Sequence, residues 1–322
     1  MSGAVIEVLR AGPLVSVQDG GRRGMMRFGL PGSGAMDRKA LAIANLALGN
    51  PAGAAGVEVS RGGLLLACRA GAVTLAIAGG GFVVDHAGRR GGSWQVLTLR
   101  AGERLEIRPG PWGSWCCIGL AGGLVAEAWG GSAATHALSG LGGGMLAAGQ
   151  SLIIDGARVM AGREGGIPCP VWARPRARVA VVPGPQDRFF DAETRQRLLT
   201  EPFRLTDSYD RMGVRLRGPA LLPQGALAIP SAPILRGSVQ VSGDGVATVL
   251  LADHQTTGGY PKIATLVDDD ADGFAQLRPH DRVRFHAVTA EQAVAIARRR
   301  RQVFGIWAAA LGRRMAARDA SG

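Results

Sequence analysis

Residues able to do chemistry are concentrated in one stretch, Asp253-His254-Gln255-Thr256-Thr257-Gly258-Gly259-Tyr260-Pro261-Lys262-Ile263. It combines a carboxylate, an imidazole, an amide, two hydroxyls, a phenol and an ammonium, whereas a connector between strands needs only turn residues. The lysine is its most informative member. Of the 37 basic residues only Lys39 and Lys262 are lysines, and the other 35 are arginines. An ammonium in a chain that otherwise uses guanidinium suggests a compact charge able to hold a carboxylate in a tight pocket. The plain alternative is a surface hairpin carrying an incidental lysine.

Two further polar clusters accompany it. Asp19 and Arg22 lie in the glycine-rich run 18–24, and Ser33 and Asp37 lie in Gly32-Ser33-Gly34-Ala35-Met36-Asp37 at the start of a helical pattern. Here Ser33 reads as the N-cap and Asp37 as a dipole-matched residue of the first turn. Backbone N–H groups at such a turn can hold an anion, although a well-capped helix alone accounts for the same residues. Asp210 and Arg211 lie in Thr206-Asp207-Ser208-Tyr209-Asp210-Arg211-Met212-Gly213, which could equally be a solvated turn.

Other chemistries lack a motif. The glycine pattern at 32–37 misses the last glycine of G-x-G-x-x-G, and no G-K-[ST] follows it. Cys68, Cys116, Cys117 and Cys169 form no C-x-x-C pair, and the five histidines form neither H-x-H nor H-E-x-x-H, so no metal is predicted. The net charge of +12 could suggest nucleic acid, but arginine is raised throughout. Residues 290–322 alone hold seven arginines against Glu291 and Asp319, or +5 of that charge. Few aromatics interleave with the arginines, so no nucleic-acid surface is expected.

The elements that must position these clusters are mainly β. Val5–Arg10 and Leu14–Val17 predict an opening hairpin across a Gly-Pro turn. Residues 38–49 carry helical spacing, and short strands follow from 56 to 120 at the spacing of a sandwich or barrel. Residues 121–150, rich in Gly, Ala and Ser, predict an irregular surface region, and 163–178 is the best linker candidate. Beyond it come strands at 179–182, 214–217, 238–241, 247–251, 263–267 and 282–285, with helices around 188–199 and 271–277. From Thr289 a basic amphipathic helix places Val294, Ala297, Phe304, Trp307, Leu311 and Met315 at steps of three to four. Such a helix can lie on a membrane, but docking on its own domain or a partner is the expectation. No apolar run reaches the length of a membrane span, and Met1–Glu7 lacks a signal-peptide pattern, so the cytoplasm is the expected location.

Several of these segments resemble the allophanate hydrolase subunit 2, or biotin-dependent carboxyltransferase-like, family. They are Val17–Gly24, Gly29–Asp37, Pro183-Gly184-Pro185-Gln186, Asp210–Leu216 and Ala252–Lys262. The family includes the C-type subunit of 5-oxoprolinase, the Kip inhibitor antagonist and part of urea carboxylase. The resemblance implies a mainly β fold of tandem β-barrel subdomains, one cyclophilin-like, with a few short helices and a C-terminal helix. The expected division is 1–172, 173–288 and a basic helical tail at 289–322. The implied activity is opening of 5-oxo-L-proline to L-glutamate by a complex that uses ATP, in which B-type and A-type 5-oxoprolinase proteins are the partners; a homo-oligomer stays open. Lys262, Asp210 and Arg211 would be catalytic, and Gln255, Thr256, Thr257, Tyr260, Asp19, Arg22, Ser33 and Asp37 would bind the amide or lactam substrate. The alternatives are a carboxyltransferase component, for which biotin would be the cofactor, and a regulatory antagonist of a kinase inhibitor. His254, where many relatives have Arg, and the turn Ser242-Gly243-Asp244-Gly245 depart from the family pattern.

Overall fold

The computed structural model describes residues 3–225 and 229–321. The chain forms two compact units: residues up to 22, 33–174 and from 304 onward in one, and 23–32 with 175–303 in the other.

Among the described residues the first unit holds a seven-stranded and a six-stranded sheet. The strand Ala4–Ala11 sits inside the larger sheet, between Ser151–Asp155 and Leu64–Ala70. Ile6, Val8 and Leu66 from that sheet share one core with Val57, Leu75, Ile77 and Ile118 from the other. This is the sandwich alternative, with alternating side chains turned inward. The predicted opening hairpin does not form. After Gly12-Pro13 the chain changes sheets, so Ser16–Gln18 pairs with Gly56–Ser60. Residues 121–150 are irregular as expected, but they are not all at the surface: Ala134, Thr135 and His136 are buried. The predicted linker is built into this unit as far as Arg174, with Gly165–Gly166 pairing to Gln95–Arg100 and Ile167 in the core.

Helix α1, Arg38–Ala47, buries Ala40, Leu41, Ile43, Ala44 and Ala47 on one face. Its N-cap is Asp37, whose Oδ1 accepts the Ala40 N–H at 3.0 Å. Ser33 therefore lies too early to cap it. Asp37→Ala is expected to cost about 1 kcal/mol, read as a lower urea midpoint.

The second unit is built on a closed barrel. Its strands run, in spatial order, Arg178–Pro183, Lys262–Leu266, Ser238–Val241, Ala247–Leu250, Gly213–Arg217, Phe203–Tyr209 and Arg282–Ala287. The last pairs in parallel with the first, which closes the sheet and removes its edges. Val214 and Leu216 are buried between exposed Arg215 and Arg217, as the alternation in sequence requires. Helix α2, Ala192–Thr200, is capped by Asp191, whose Oδ1 accepts the Thr194 N–H at 2.7 Å. Helix α3, Asp268–Ala275, follows the barrel strand 262–266.

The predicted tail is one helix, α4, Ala290–Ser321; Gly322 lies outside the described residues. In the second unit Arg300 Nη1 stands 2.8 Å from Asp270, a buried carboxylate that also meets Arg176 and accepts the Ala180 N–H. In the first unit Leu311 and Met315 join the core, while Trp172 stacks edge-on against Phe304 and Trp307 at 5.8 and 5.7 Å. The later part of the apolar stripe, Phe304, Trp307, Leu311 and Met315, is thus spent on packing against the protein itself, whereas Val294 is exposed. Leu311→Ala is expected to lower stability by about 2–4 kcal/mol, measured by chemical denaturation. No helix of the described residues is long and apolar enough to cross a membrane.

Candidate functional site

The stretch 251–261 joins two barrel strands that are not neighbours, because Ser238–Val241 lies between them. It therefore crosses over that strand. Beneath it opens a cavity of about 590 Å³, lined by Gln255 and Tyr260 from this stretch and by Asp207, Asp210 and Arg215 from the opposite wall. Its floor is a cross-strand row. Arg215 is the register partner of Thr248, and Thr248 of Gln240, and all three line the cavity. The next partner across is Lys262, reached at an irregularity in the pairing.

One buried ion pair ties the two walls together. Arg211 Nε donates to Asp253 Oδ2 at 2.9 Å and Arg211 Nη2 to Oδ1 at 3.0 Å, with the side chains 1 % and 0 % exposed. The Asp253 N–H also donates to the Arg211 carbonyl at 2.8 Å. Such a fork is geometrically specific and fixes both segments. The carboxylate that orients Arg211 is consequently Asp253, not its sequence neighbour Asp210. Asp210 is exposed; its Oδ1 accepts the N–H groups of Met212 and Gly213, leaving Oδ2 at the cavity without a partner among the described residues.

Lys262 does not line the cavity. Its backbone is clamped by Gln186, whose Oε1 accepts the Lys262 N–H and whose N–H donates to the Lys262 carbonyl, both at 3.1 Å. Its side chain is 1 % exposed and its Nζ finds no hydrogen-bond partner among the described residues. Burial pushes the amine below its ordinary value. Removing an ammonium from water without a counter-charge disfavours its charged form. His254 is likewise buried and held below its usual range by desolvation, with Nδ1 2.7 Å from the Gln255 carbonyl.

The remaining predicted residues divide. Gln255 and Tyr260 reach the cavity, whereas Thr256 is buried and Thr257 pairs in a short ladder with Pro233; neither threonine lines the cavity. Asp19, Arg22, Ser33 and Asp37 belong to the first unit. There Asp19 accepts from Ser132 Oγ and the Ala133 N–H, both at 2.7 Å, and buried Arg22 donates to the carbonyls of Trp129 and Ala134. Both side chains hold down the segment 129–135. Nearby, a Cβ at Gly34, with φ +81°, would fall 2.9 Å from the Gly21 Cα, so the two glycine runs meet backbone to backbone. Sequence reasoning missed Arg215 and Gln240. Arg215 sits in an alternating strand and looks like a solvated face; Gln240, an amide between Val239 and Val241, is the one signal that could have been read. Among the described residues no cluster of His, Cys, Asp and Glu could hold a metal.

Comparisons with known proteins agree with this architecture. The model of the family described as "Carboxyltransferase domain, subdomain A and B" matches residues 28–287. The C-type subunit of Escherichia coli 5-oxoprolinase is 31 % identical over 296 residues, covering 90 % of this chain and 93 % of that protein. A putative urea carboxylase of Emericella nidulans is 28 % identical over 305 residues, covering 89 % of this chain but 24 % of that protein. The crystal structure of TTHA0988 superposes with a TM-score of 0.78 at 32 % identity, over 88 % of this chain and 55 % of that one. The chain thus spans about half the length of that solved relative. With the family model covering the whole barrel and most of the sandwich, the chain belongs to the carboxyltransferase domain, subdomain A and B, family.

Proposed function

We propose that this chain is the C-type subunit of an ATP-dependent 5-oxoprolinase, which opens 5-oxo-L-proline to L-glutamate together with B-type and A-type proteins in the cytoplasm. The observation that carries the reading is the likeness to the C-type subunit of E. coli 5-oxoprolinase over nearly the full length of both chains. The cavity is its chemical counterpart. Arg215 is the only cation among the described residues that line it, and it suits the carboxylate of a small ring acid. Gln255 offers an amide group to a lactam, and Asp210 Oδ2 offers a proton acceptor at the rim.

A lactam carbonyl is a poor electrophile, and ATP supplies the phosphoryl group that activates its oxygen. The residues of this chain bind and polarise. Arg215 holds the carboxylate, while Asp210 takes a proton from the incoming water. Lys262, the register partner of Gln240 and without a hydrogen-bond partner for its Nζ among the described residues, is assigned to the negative charge that develops on the exocyclic lactam oxygen. Arg211, occupied by Asp253, holds the walls and does not contact substrate.

The test is ATP hydrolysis by the chain with its B-type and A-type partners, with and without 5-oxoproline. Substrate-dependent turnover is expected, and Arg215→Ala is expected to raise KM about 10- to 100-fold, the worth of one charge-assisted contact. Absence of 5-oxoproline-stimulated turnover in the complete assembly overturns the proposal. A second reading, carboxyl transfer from biotin to urea or another amide, draws on the putative urea carboxylase relative. Bicarbonate-dependent labelling of biotin would favour it instead.

A further inference from the structure

The floor and roof of the cavity are joined by a short chain of amides with only one consistent direction. Gln240 Nε2 lies 3.3 Å from the Tyr260 carbonyl oxygen, and Gln255 Nε2 lies 3.2 Å from Gln240 Oε1. A backbone carbonyl can only accept, so the nitrogen end of Gln240 must face Tyr260. Its oxygen must then face Gln255. Only the nitrogen end of Gln255 can answer that oxygen, which leaves Gln255 Oε1 as the free end of the chain. Both glutamines line the cavity, but Gln240 is only 5 % exposed and both ends of its amide are taken within the chain, whereas Gln255 keeps its oxygen end free of a partner among the described residues.

The packing around the relay is tight. A Cβ built on Gly258 would lie 2.9 Å from Gln240 Nε2 and 2.8 Å from Ile234 Cδ1. Its distance to Gln255 Nε2 would be 3.6 Å. A side chain at 258 would thus crowd the Gln240 nitrogen while meeting Gln255 at ordinary contact distance.

We propose that Gln240 and Gln255 form an orientation relay that presents a carbonyl acceptor to the cavity, selecting ligands that donate an amide-type ring N–H. Gln255 touches the ligand; Gln240 is a positioning residue that acts through it. The recognised chemistry is shared by a lactam and by a cyclic urea. The choice of lactam rests on the function proposed above, while the N–H requirement does not. An isostere with oxygen in place of the ring nitrogen sets its lone pairs against Gln255 Oε1, and a site built to receive a donor discriminates strongly against such a partner.

The experiment is calorimetric titration of the full chain, with its B-type partner present, using three probes: 5-oxo-L-proline, the corresponding γ-lactone acid, and 2-imidazolidinone. The lactam is expected to bind about tenfold or more tightly than the lactone. Gln255→Met and Gln240→Met should each collapse that ratio toward one by weakening the lactam while leaving the lactone nearly unchanged. Gln240→Glu should restore it at a pH where its carboxyl is protonated, because the O–H then donates to the Tyr260 carbonyl while the other oxygen still accepts from Gln255. Gly258→Ala, which leaves both glutamines present but crowds the Gln240 nitrogen, should shift the ratio in the same direction as Gln240→Met. A purely structural role would weaken both acids alike, and that result, an unchanged ratio, or binding of none of the probes overturns the relay. If 2-imidazolidinone binds in the same relay-dependent way but 5-oxoproline is neither bound nor turned over, the oxoprolinase reading fails and the relay stands. If 5-oxoproline is turned over with no response to either glutamine, the relay fails and the oxoprolinase reading stands.

Discussion

Asp253→Asn is expected to destabilise the second unit by about 3–5 kcal/mol, the cost of leaving a buried guanidinium without its counter-charge. The asparagine fills the same volume, so packing is not the cause. It removes one unit of charge from a pair whose side chains are essentially sealed from water. Arg211 would have to open toward solvent, pulling the 207–213 turn away from the 251–261 stretch and spoiling the cavity between them. Thermal or urea denaturation reads the loss. Replacing both partners by apolar residues, Arg211→Met with Asp253→Leu, is expected to recover much of it, because a buried pair is worth little more than well-packed hydrocarbon. A cost below about 1 kcal/mol for the single substitution would mean that the walls are held by something else.

Lys262→Met should act in the opposite direction on stability. The wild-type Nζ is buried and unpartnered among the described residues, so an unbranched apolar side chain is expected to raise stability by about 1–3 kcal/mol. Under the proposed function, 5-oxoproline turnover by the complete assembly is expected to fall about 10²- to 10³-fold, the loss that goes with removing a donor to a developing oxyanion. The sign of the pH dependence follows from the downward shift of the lysine. In the unfolded chain a lysine titrates near about 10.4, and in the folded chain burial holds it lower. Between those two values the unfolded state binds more protons, so wild-type stability rises with pH. Below the folded value the full cost of burying an ammonium is present, and above the unfolded value it is gone. The advantage of Lys262→Met should therefore be largest at neutral pH and shrink as pH approaches about 10, measured as the difference in urea midpoints. A constant difference would show that the lysine reaches solvent in the folded protein.

The two substitutions place stability and function on different residues of one site. Arg211 and Asp253 are satisfied and structural, while Lys262 holds donors that nothing among the described residues uses. Buried polar groups without partners are uncommon because each carries a free-energy cost. The cost at Lys262 is consistent with a group kept for a ligand.

Much of this was legible in sequence because local chemistry decides it. The stretch 253–263 announced itself by an excess of polar groups over what a turn requires, and two of its members, Gln255 and Tyr260, do line the cavity. Six of the seven barrel strands were visible as alternating or apolar runs, since the period of two follows from the backbone itself, whereas Phe203–Tyr209 was hidden because its second half reads as a polar cluster. The tail's stripe at 3–4-residue steps likewise foretold a docked helix. Tertiary structure decided the rest, because it depends on which strands become neighbours. Gly12-Pro13 reads as a hairpin turn, yet the chain crosses to a second sheet there, and only the competition between two hydrophobic faces settles which partner wins. Asp210 precedes Arg211 in sequence, but the carboxylate that meets the guanidinium comes from Asp253, 42 residues away. Arg215, Thr248 and Gln240 are scattered in the chain and become one row only when three strands align in register. Sequence by itself determined a polar candidate site on a β scaffold and named the loop that carries part of it. Closure of the barrel decided which side chains share that site, because register, unlike composition, is a property of pairs of strands.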